Sequence, residues 1–238
     1  MLKINWFTGI LLNPIFISIM RLEQALSSLC KMQAKDGAAV LDVGCGNRPY
    51  EGLFKNCSYI GLDVENSGRS MALKQPDYFY DGKKIPFKSE SFDVLLSTQV
   101  LEHVANPPAL LNEMFRVLKV GGVLIISLPF VFPEHEQPFD YYRFTRFGVV
   151  ELLEGAGFQV QEIKRDTCTI EAMAVLFNLY LVANLVPKIR GFGFLVSVLI
   201  CFPIQLLSLV LSKLLPDNGG FYLNLVVIGS KGSRANAS

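Results

Sequence analysis

The stretch Val40-Leu41-Asp42-Val43-Gly44-Cys45-Gly46 decides the fold. A short apolar run that ends in paired glycines reads as a buried strand entering a tight turn, where the missing side chains let backbone and ligand approach closely. The next apolar run closes on Gly61-Leu62-Asp63, which puts an acid at the end of a second strand, seventeen residues past Gly46. A carboxylate there can accept two hydrogen bonds from the hydroxyls of a ribose. The constellation therefore suits an adenosine-containing ligand. Asn47-Arg48-Pro49 stands where a dinucleotide loop carries its third glycine and a clear helix N-terminus, so a pyrophosphate is poorly served and a hydride-transfer enzyme is the weaker reading.

Working outward, short β-branched runs alternate with helical stretches from Ala38 to Lys164, the pattern of βαβ units. Strands are expected at 39–43, 58–62, 78–80, 92–97, 123–128 and 158–164, with one more at 221–229. A helix is expected over 107–118, capped by Asn106, opened by Pro107 and ended by Gly121-Gly122. Another follows Thr145 over 146–154. The fold class is α/β: a mainly parallel, doubly wound sheet with an apolar helical insertion before the last strand.

Composition bounds the function. Of 238 residues 51% are hydrophobic and only 18% charged, which excludes disorder for most of the length. Lys plus Arg total 22 against 21 for Asp plus Glu, so there is no global basic field to gather nucleic acid, and none is expected as a partner. The five cysteines have no paired spacing, which argues against a disulfide framework or a zinc site and fits a reducing compartment.

Four segments are expected: an N-terminal helical piece over 1–36, a main domain over 37–166 with 220–231, an apolar insertion over 167–219, and a flexible tail over 232–238. Residues 6–20 are apolar after Lys3; an amphipathic helix is preferred there to a signal peptide. Gly191 to Ser212 carries no charge and at about 1.5 Å per residue is long enough to cross a bilayer core. If the strands on either side share one sheet, the chain must return to the side it left. The tip Pro187-Lys188-Ile189-Arg190 would carry two cations across, and Pro203 is expected to break the longer stretch. Two helices embedded in the cytosolic leaflet are preferred to a hairpin, with a soluble cap or dimer interface as the alternative.

The runs VLDVGCG, YIGLDV, YDGKKIPF, SFDVLLSTQVLEHV, NEMFRVLKVGG and LLEGAGF resemble, in order, a class I S-adenosylmethionine-dependent methyltransferase of the type 11 family. The resemblance implies a Rossmann-like sheet closed by an antiparallel last strand at 221–229, and S-adenosyl-L-methionine as cofactor. It places Gly44 and Gly46 under the methionine and ribose portions, Asp63 on the ribose hydroxyls, and Asp81 at the adenine amino group. It also sets Asp42 toward the methionine ammonium, directly or through water, and Gln99 at the methionine end. Cys45 reads as a small filler, because no partner base can be named for it.

Methyl transfer from a sulfonium is an in-line displacement that needs an aligned, desolvated acceptor and neither a metal nor a covalent nucleophile. A hydroxyl acceptor also gains from a base, and the chain has two histidines. His103 reads as structural support of the pocket. His135 lies in a loop of Glu, His, Asp, Tyr and Arg after the fifth expected strand, where ligands sit beyond the carboxyl ends of a doubly wound sheet. It is the expected base, with Tyr141, Tyr142 and Arg143 shaping the acceptor site. The alternative is a lid held by its own ion pairs, such as Asp140 with Arg143.

The loop resembles the EHEQPxDYxRxT stretch of a subgroup associated with surface-glycan or lipopolysaccharide assembly. That implies O-methylation of a lipid-linked or surface-glycan precursor by a cytoplasmic protein on the cytosolic face of a membrane. A small lipid such as an isoprenoid quinone, or an inactive cofactor-binding scaffold, remains open, and the oligomeric state is not legible.

Overall fold

A computed structural model describes residues 13–33, 35–68, 70–185 and 192–232. The expected basic tip at 187–190, the apolar start of the chain and the tail beyond 232 lie outside the described residues. Two units are present: residues 26–164 with 225–238, and residues 1–25 with 165–224. Within the second, Ile17 shares a core with Ala172, Val175 and Leu223.

The main unit is built on a seven-stranded mixed sheet of order β3-β2-β1-β4-β5-β7-β6, mostly parallel with antiparallel pairing at its C-terminal strands. The strands are β1 (Ala39–Val43), β2 (Ser58–Val64), β3 (Tyr78–Tyr80), β4 (Phe92–Thr98), β5 (Leu118–Pro129), β6 (Phe158–Arg165) and β7 (Asn224–Lys231). Val40, Leu41 and Val43 are fully buried, as a central strand covered on both faces requires. β1 pairs in parallel with β2, Asp42 opposite Gly61, and with β4, Asp42 opposite Leu96. The ends of β1, β2 and β4 therefore open on the same edge of the sheet. Three helices accompany it: α1 (Phe16–Gln33), whose second half belongs to this unit, α2 (Pro107–Val117) and α3 (Arg146–Gly155). Asn106 and Thr145 cap α2 and α3 by accepting from Ala109 N and Gly148 N, as their positions in the sequence predict.

Two boundaries differ from expectation by more than two residues. β5 begins at Leu118, directly after α2, and Gly121-Gly122 lie inside the strand. Gly121 takes φ +78° with open space around it, and the pairing with β4 slips its register between Phe92 and Val94, so the glycines absorb an irregularity and do not separate helix from strand. β7 starts at Asn224, three residues later than expected, because Leu223 is committed to the core of the other unit.

The helical unit contains α4 (Thr169–Leu185), α5 (Phe192–Val196) and α6 (Phe202–Leu214), the last two joined by a π-helical turn at Ser197–Cys201. Pro203 does not break this stretch. A proline removes one amide and crowds the carbonyl four residues back, and the widened turn just before it relieves that crowding without ending the helix. Asn178 donates from Nδ2 to the Cys201 carbonyl at 3.3 Å, partnering a group of the widened turn.

Candidate active site

Beyond the ends of β1, β2 and β4 lies a cleft of about 440 Å³, lined among others by Gly44, Asp63, Lys74, Asp81, Gln99, His103, Glu136 and Tyr141. Its floor is the glycine turn. Gly44 has φ +77°, and a Cβ there would stand 2.3 Å from Val100 Cγ2, so only glycine lets the chain pass under a ligand at this point. Gly46 has φ +53° and donates its N–H to Asp63 Oδ2 at 2.9 Å, which fixes the acid at the tip of β2. Asp63 Oδ1 accepts from Val64 N at 2.7 Å and faces Lys74 Nζ at 3.4 Å. A carboxylate offers about four lone-pair sites. Ribose hydroxyls would therefore share Asp63 with these donors, Lys74 being the most distant and the most readily displaced.

Arg48 stands where a third glycine is absent, with φ +58°. Its guanidinium reaches Asp77 and Glu51 at 2.8 Å each and lies 5.1 Å from the centre of the Tyr59 ring. Tyr59 in turn donates its hydroxyl to Asp42 Oδ2, while Asp42 Oδ1 is buried without a partner. Burial pushes the Asp42 carboxyl up to about 7, opposed by the Tyr59 hydrogen bond and helped by the charge of Asp63. Asp42 lies beneath the turn and does not line the cleft, so its orphan oxygen suits contact with an ammonium through water. Asp81 accepts from the amides of Lys83 and Lys84, bonds that hold its carboxyl below the usual range and keep it ionised at the far end of the cleft. Burial raises the Cys45 thiol, in keeping with a filler role.

At the other end, Gln99, with φ +54°, anchors its amide NH₂ on Ser127 Oγ at 3.2 Å. The loop after β5 folds back over this end. Glu102 holds it from below, its carbonyl accepting from Tyr141 N at 2.8 Å and Tyr142 N at 3.3 Å. Arg143 is engaged within the loop: two bonds to Asp140 at 2.6 and 2.7 Å, and others to the carbonyls of Phe132, Pro133 and Tyr142. This pairing holds the Asp140 carboxyl well below the usual range. Arg143 thus fastens the loop and does not line the cleft, and Tyr142 directs its hydroxyl to the Ala105 carbonyl. Of the expected acceptor-side residues only Tyr141 faces the cleft.

Of the two histidines His103 lines the cleft, whereas His135, the expected base, is not among its lining residues. Their ring centres are 4.8 Å apart, edge to face. Glu102, buried beside them, has its carboxyl pushed up to about 8 by burial. Glu136 also lines the cleft, and its carbonyl packs so closely on Gly68 that a Cβ there would meet it at 2.0 Å. Sequence reading missed Glu102, Glu136 and Lys74; the LEH triplet was the available signal for the first.

The profile described as a methyltransferase domain matches residues 41–126. Among curated proteins, an uncharacterized methyltransferase of Mycobacterium leprae is 32% identical over 117 residues, 44% of each chain. A Mycolicibacterium smegmatis protein named "Probable S-adenosylmethionine-dependent methyltransferase" is 30% identical over 138 residues, 53% of this chain and 54% of its own. The chain thus spans about half the length of these relatives. Among solved structures, phosphoethanolamine N-methyltransferase 2 of Haemonchus contortus in complex with S-adenosyl-L-methionine superposes with a TM-score of 0.55 at 17% identity, over 89% of this chain and 53% of that one, a likeness of fold. The match to a methyltransferase domain over residues 41–126 thus falls on the segment that carries the glycine turn, Asp63 and Asp81 along one cleft.

Proposed function

We propose that the whole chain transfers a methyl group from S-adenosyl-L-methionine to a hydroxyl of a lipid-linked or surface-glycan precursor held at a membrane surface. The donor lies along Asp81, Asp63 and the glycine turn, which directs its sulfonium toward Gln99 and the histidine end. The acceptor oxygen enters beside His103, Glu136 and Tyr141, which line this end of the cleft. Alignment and exclusion of water supply most of the rate for such a displacement.

The observation that carries the membrane part is the polarity of the helical unit. Its interior holds Glu171, Asn178, Gln205 and Ser208, all buried. Glu171 is paired with Arg21, and Gln205 accepts from Ile17 N while donating to the Asn13 carbonyl. Its outside carries Phe177, Tyr180, Phe194, Leu199, Leu207 and Leu214, each at least half exposed. Polar groups inward and large apolar groups outward is the arrangement that lipid favours and water opposes. Gly193–Leu214 is also long and apolar enough to cross a membrane by length and composition. We favour helices lying in the cytosolic leaflet of a cytoplasmic protein.

The test is transfer of labelled methyl from the donor into whole membranes, followed by separation of lipids from saccharides. Label in a lipid-linked saccharide supports the proposal. Label in a free lipid shifts the reading to an isoprenoid-quinone type of acceptor, which the same apolar surface would serve. Donor binding without any transfer would leave a scaffold.

A further inference from the structure

We infer that Glu102, His103 and His135 form a site for one divalent first-row transition metal ion, Zn²⁺ or Mn²⁺ in kind, at the acceptor end of the cleft. The inference rests on the methyl-transfer reading only for what the ion does, not for its binding.

Each of the three can offer one ligand atom, and these atoms lie within 4.8 Å of one another. The hydrogen bonds around them leave acceptors facing acceptors. His103 Nδ1 is 2.7 Å from the Phe139 carbonyl. A carbonyl only accepts, so Nδ1 carries the proton and Nε2 keeps its lone pair, 4.0 Å from a carboxylate oxygen of Glu102 and the same distance from one of Glu136. His135 repeats the pattern: Nδ1 is 3.2 Å from the Pro133 carbonyl and 3.4 Å from Asp140 Oδ2, both acceptors, which leaves its Nε2 as the lone-pair nitrogen. Fixing one imidazole nitrogen on a carbonyl or carboxylate so that the other is presented to an ion is how metal-binding histidines are held.

Glu102 is the independent observation. Its side chain is fully buried, and both carboxylate oxygens lack a hydrogen-bond partner. A buried polar atom without a partner is costly, and neither imidazole stands close enough to supply one. A cation among the three would satisfy all of them at once. Ligand atoms around an ion with 2.0–2.2 Å bonds stand roughly 3–3.5 Å apart, so closure needs about 1 Å of adjustment, which the loop carrying His135 can provide. Two imidazoles and one carboxylate suit a borderline ion and leave coordination positions open.

The open side faces the cleft, because His103 and Glu136 line it. An acceptor hydroxyl bound there becomes more acidic. Its proton passes to water, the oxygen lone pair forms the bond to the methyl carbon, and the carbon–sulfur bond breaks with its electrons to sulfur, leaving S-adenosylhomocysteine and a methyl ether.

The test uses the full chain stripped with a chelator and dialysed, then titrated calorimetrically with Zn²⁺, Mn²⁺ and Co²⁺, the cobalt form also followed by its visible absorption. One equivalent is expected to bind with micromolar affinity or better. Glu102→Gln and His135→Ala should each weaken it at least tenfold, while affinity for S-adenosylhomocysteine changes less than twofold. Should Glu102→Gln fail to fold, His135→Ala on the partly exposed loop carries the test. No saturable binding of any of the three ions to the wild type, or unchanged affinity in the folded variants, overturns the site. Because S-adenosylhomocysteine is titrated separately, failure of donor binding would count against the methyltransferase reading and not against the ion site.

Discussion

If the methionine ammonium of the donor is met by Asp42, directly or through water, donor binding requires that carboxyl to be ionised, and in the free protein burial holds it near 7. The ionised fraction rises about ninefold from pH 5 to 6 and about fivefold from pH 6 to 7, so the Kd for S-adenosylhomocysteine should fall by about fiftyfold over that interval. The window stays below pH 7 because the ligand's own α-amino group begins to titrate near 7.7–8. Stability moves the opposite way. A carboxyl raised from 3.8 to about 7 binds its proton more tightly when folded, so the Asp42 contribution to stability is greatest in acid and falls by up to about 4 kcal/mol as pH rises from below 3.8 to above 7. Saturating ligand should flatten that slope. Asp42→Asn is expected to abolish the pH dependence of binding over this interval and to reduce that of stability, whereas Tyr59→Phe, which removes a hydrogen bond to the ionised form, should shift the Asp42 contribution to both to higher pH. Calorimetric titration at pH 5, 6 and 7 with thermal melts alongside checks this. A pH-independent Kd in the wild type, or an unchanged slope in Asp42→Asn, would refute the role of Asp42.

Gly44→Ala should cost about 1–3 kcal/mol, because a Cβ at φ +77° would also strike Val100, and should raise the Kd for S-adenosylhomocysteine at least tenfold, read by melting and calorimetry. Arg143→Ala removes the fastening of the loop after β5. The expected outcome is faster proteolytic cleavage between 131 and 145 and at least a tenfold loss in kcat/KM for the acceptor, with donor affinity little changed. Replacing the exposed Leu199 and Leu207 together by Glu should release the protein from anionic vesicles in a flotation assay, since each large apolar side chain contributes about 1.5–3 kcal/mol when withdrawn from water. Retention of the double variant on vesicles would remove these helices from the attachment.

How much was legible follows the range of the forces involved. The β1 turn could be read because its determinants are local: a strand buried on both faces, glycines at positive φ, and an acid one strand away whose register is set by parallel pairing. Asp63 and Asp81 fall along the cleft for the same reason. The packing partners of Ile17 were not legible, since nothing near it in the sequence records that they are Ala172, Val175 and Leu223. Pro203 misled because its effect depends on whether the preceding turn can widen, which Asn178, on another helix, helps to settle. The placement of the two histidines has the same origin. Density of polar residues pointed to the loop carrying His135, yet what places His103 in the cleft is a carbonyl thirty-six positions away, at Phe139. That carbonyl reaches it only because the Glu102 backbone has drawn Tyr141 and Tyr142 inward. Glu102 therefore anchors the loop through its carbonyl and, by the same placement, leaves a bare carboxylate under two oriented imidazoles. A residue kept only to hold the loop could do so through its backbone with any side chain, so the buried unpartnered acid is the part of this site that packing alone does not account for.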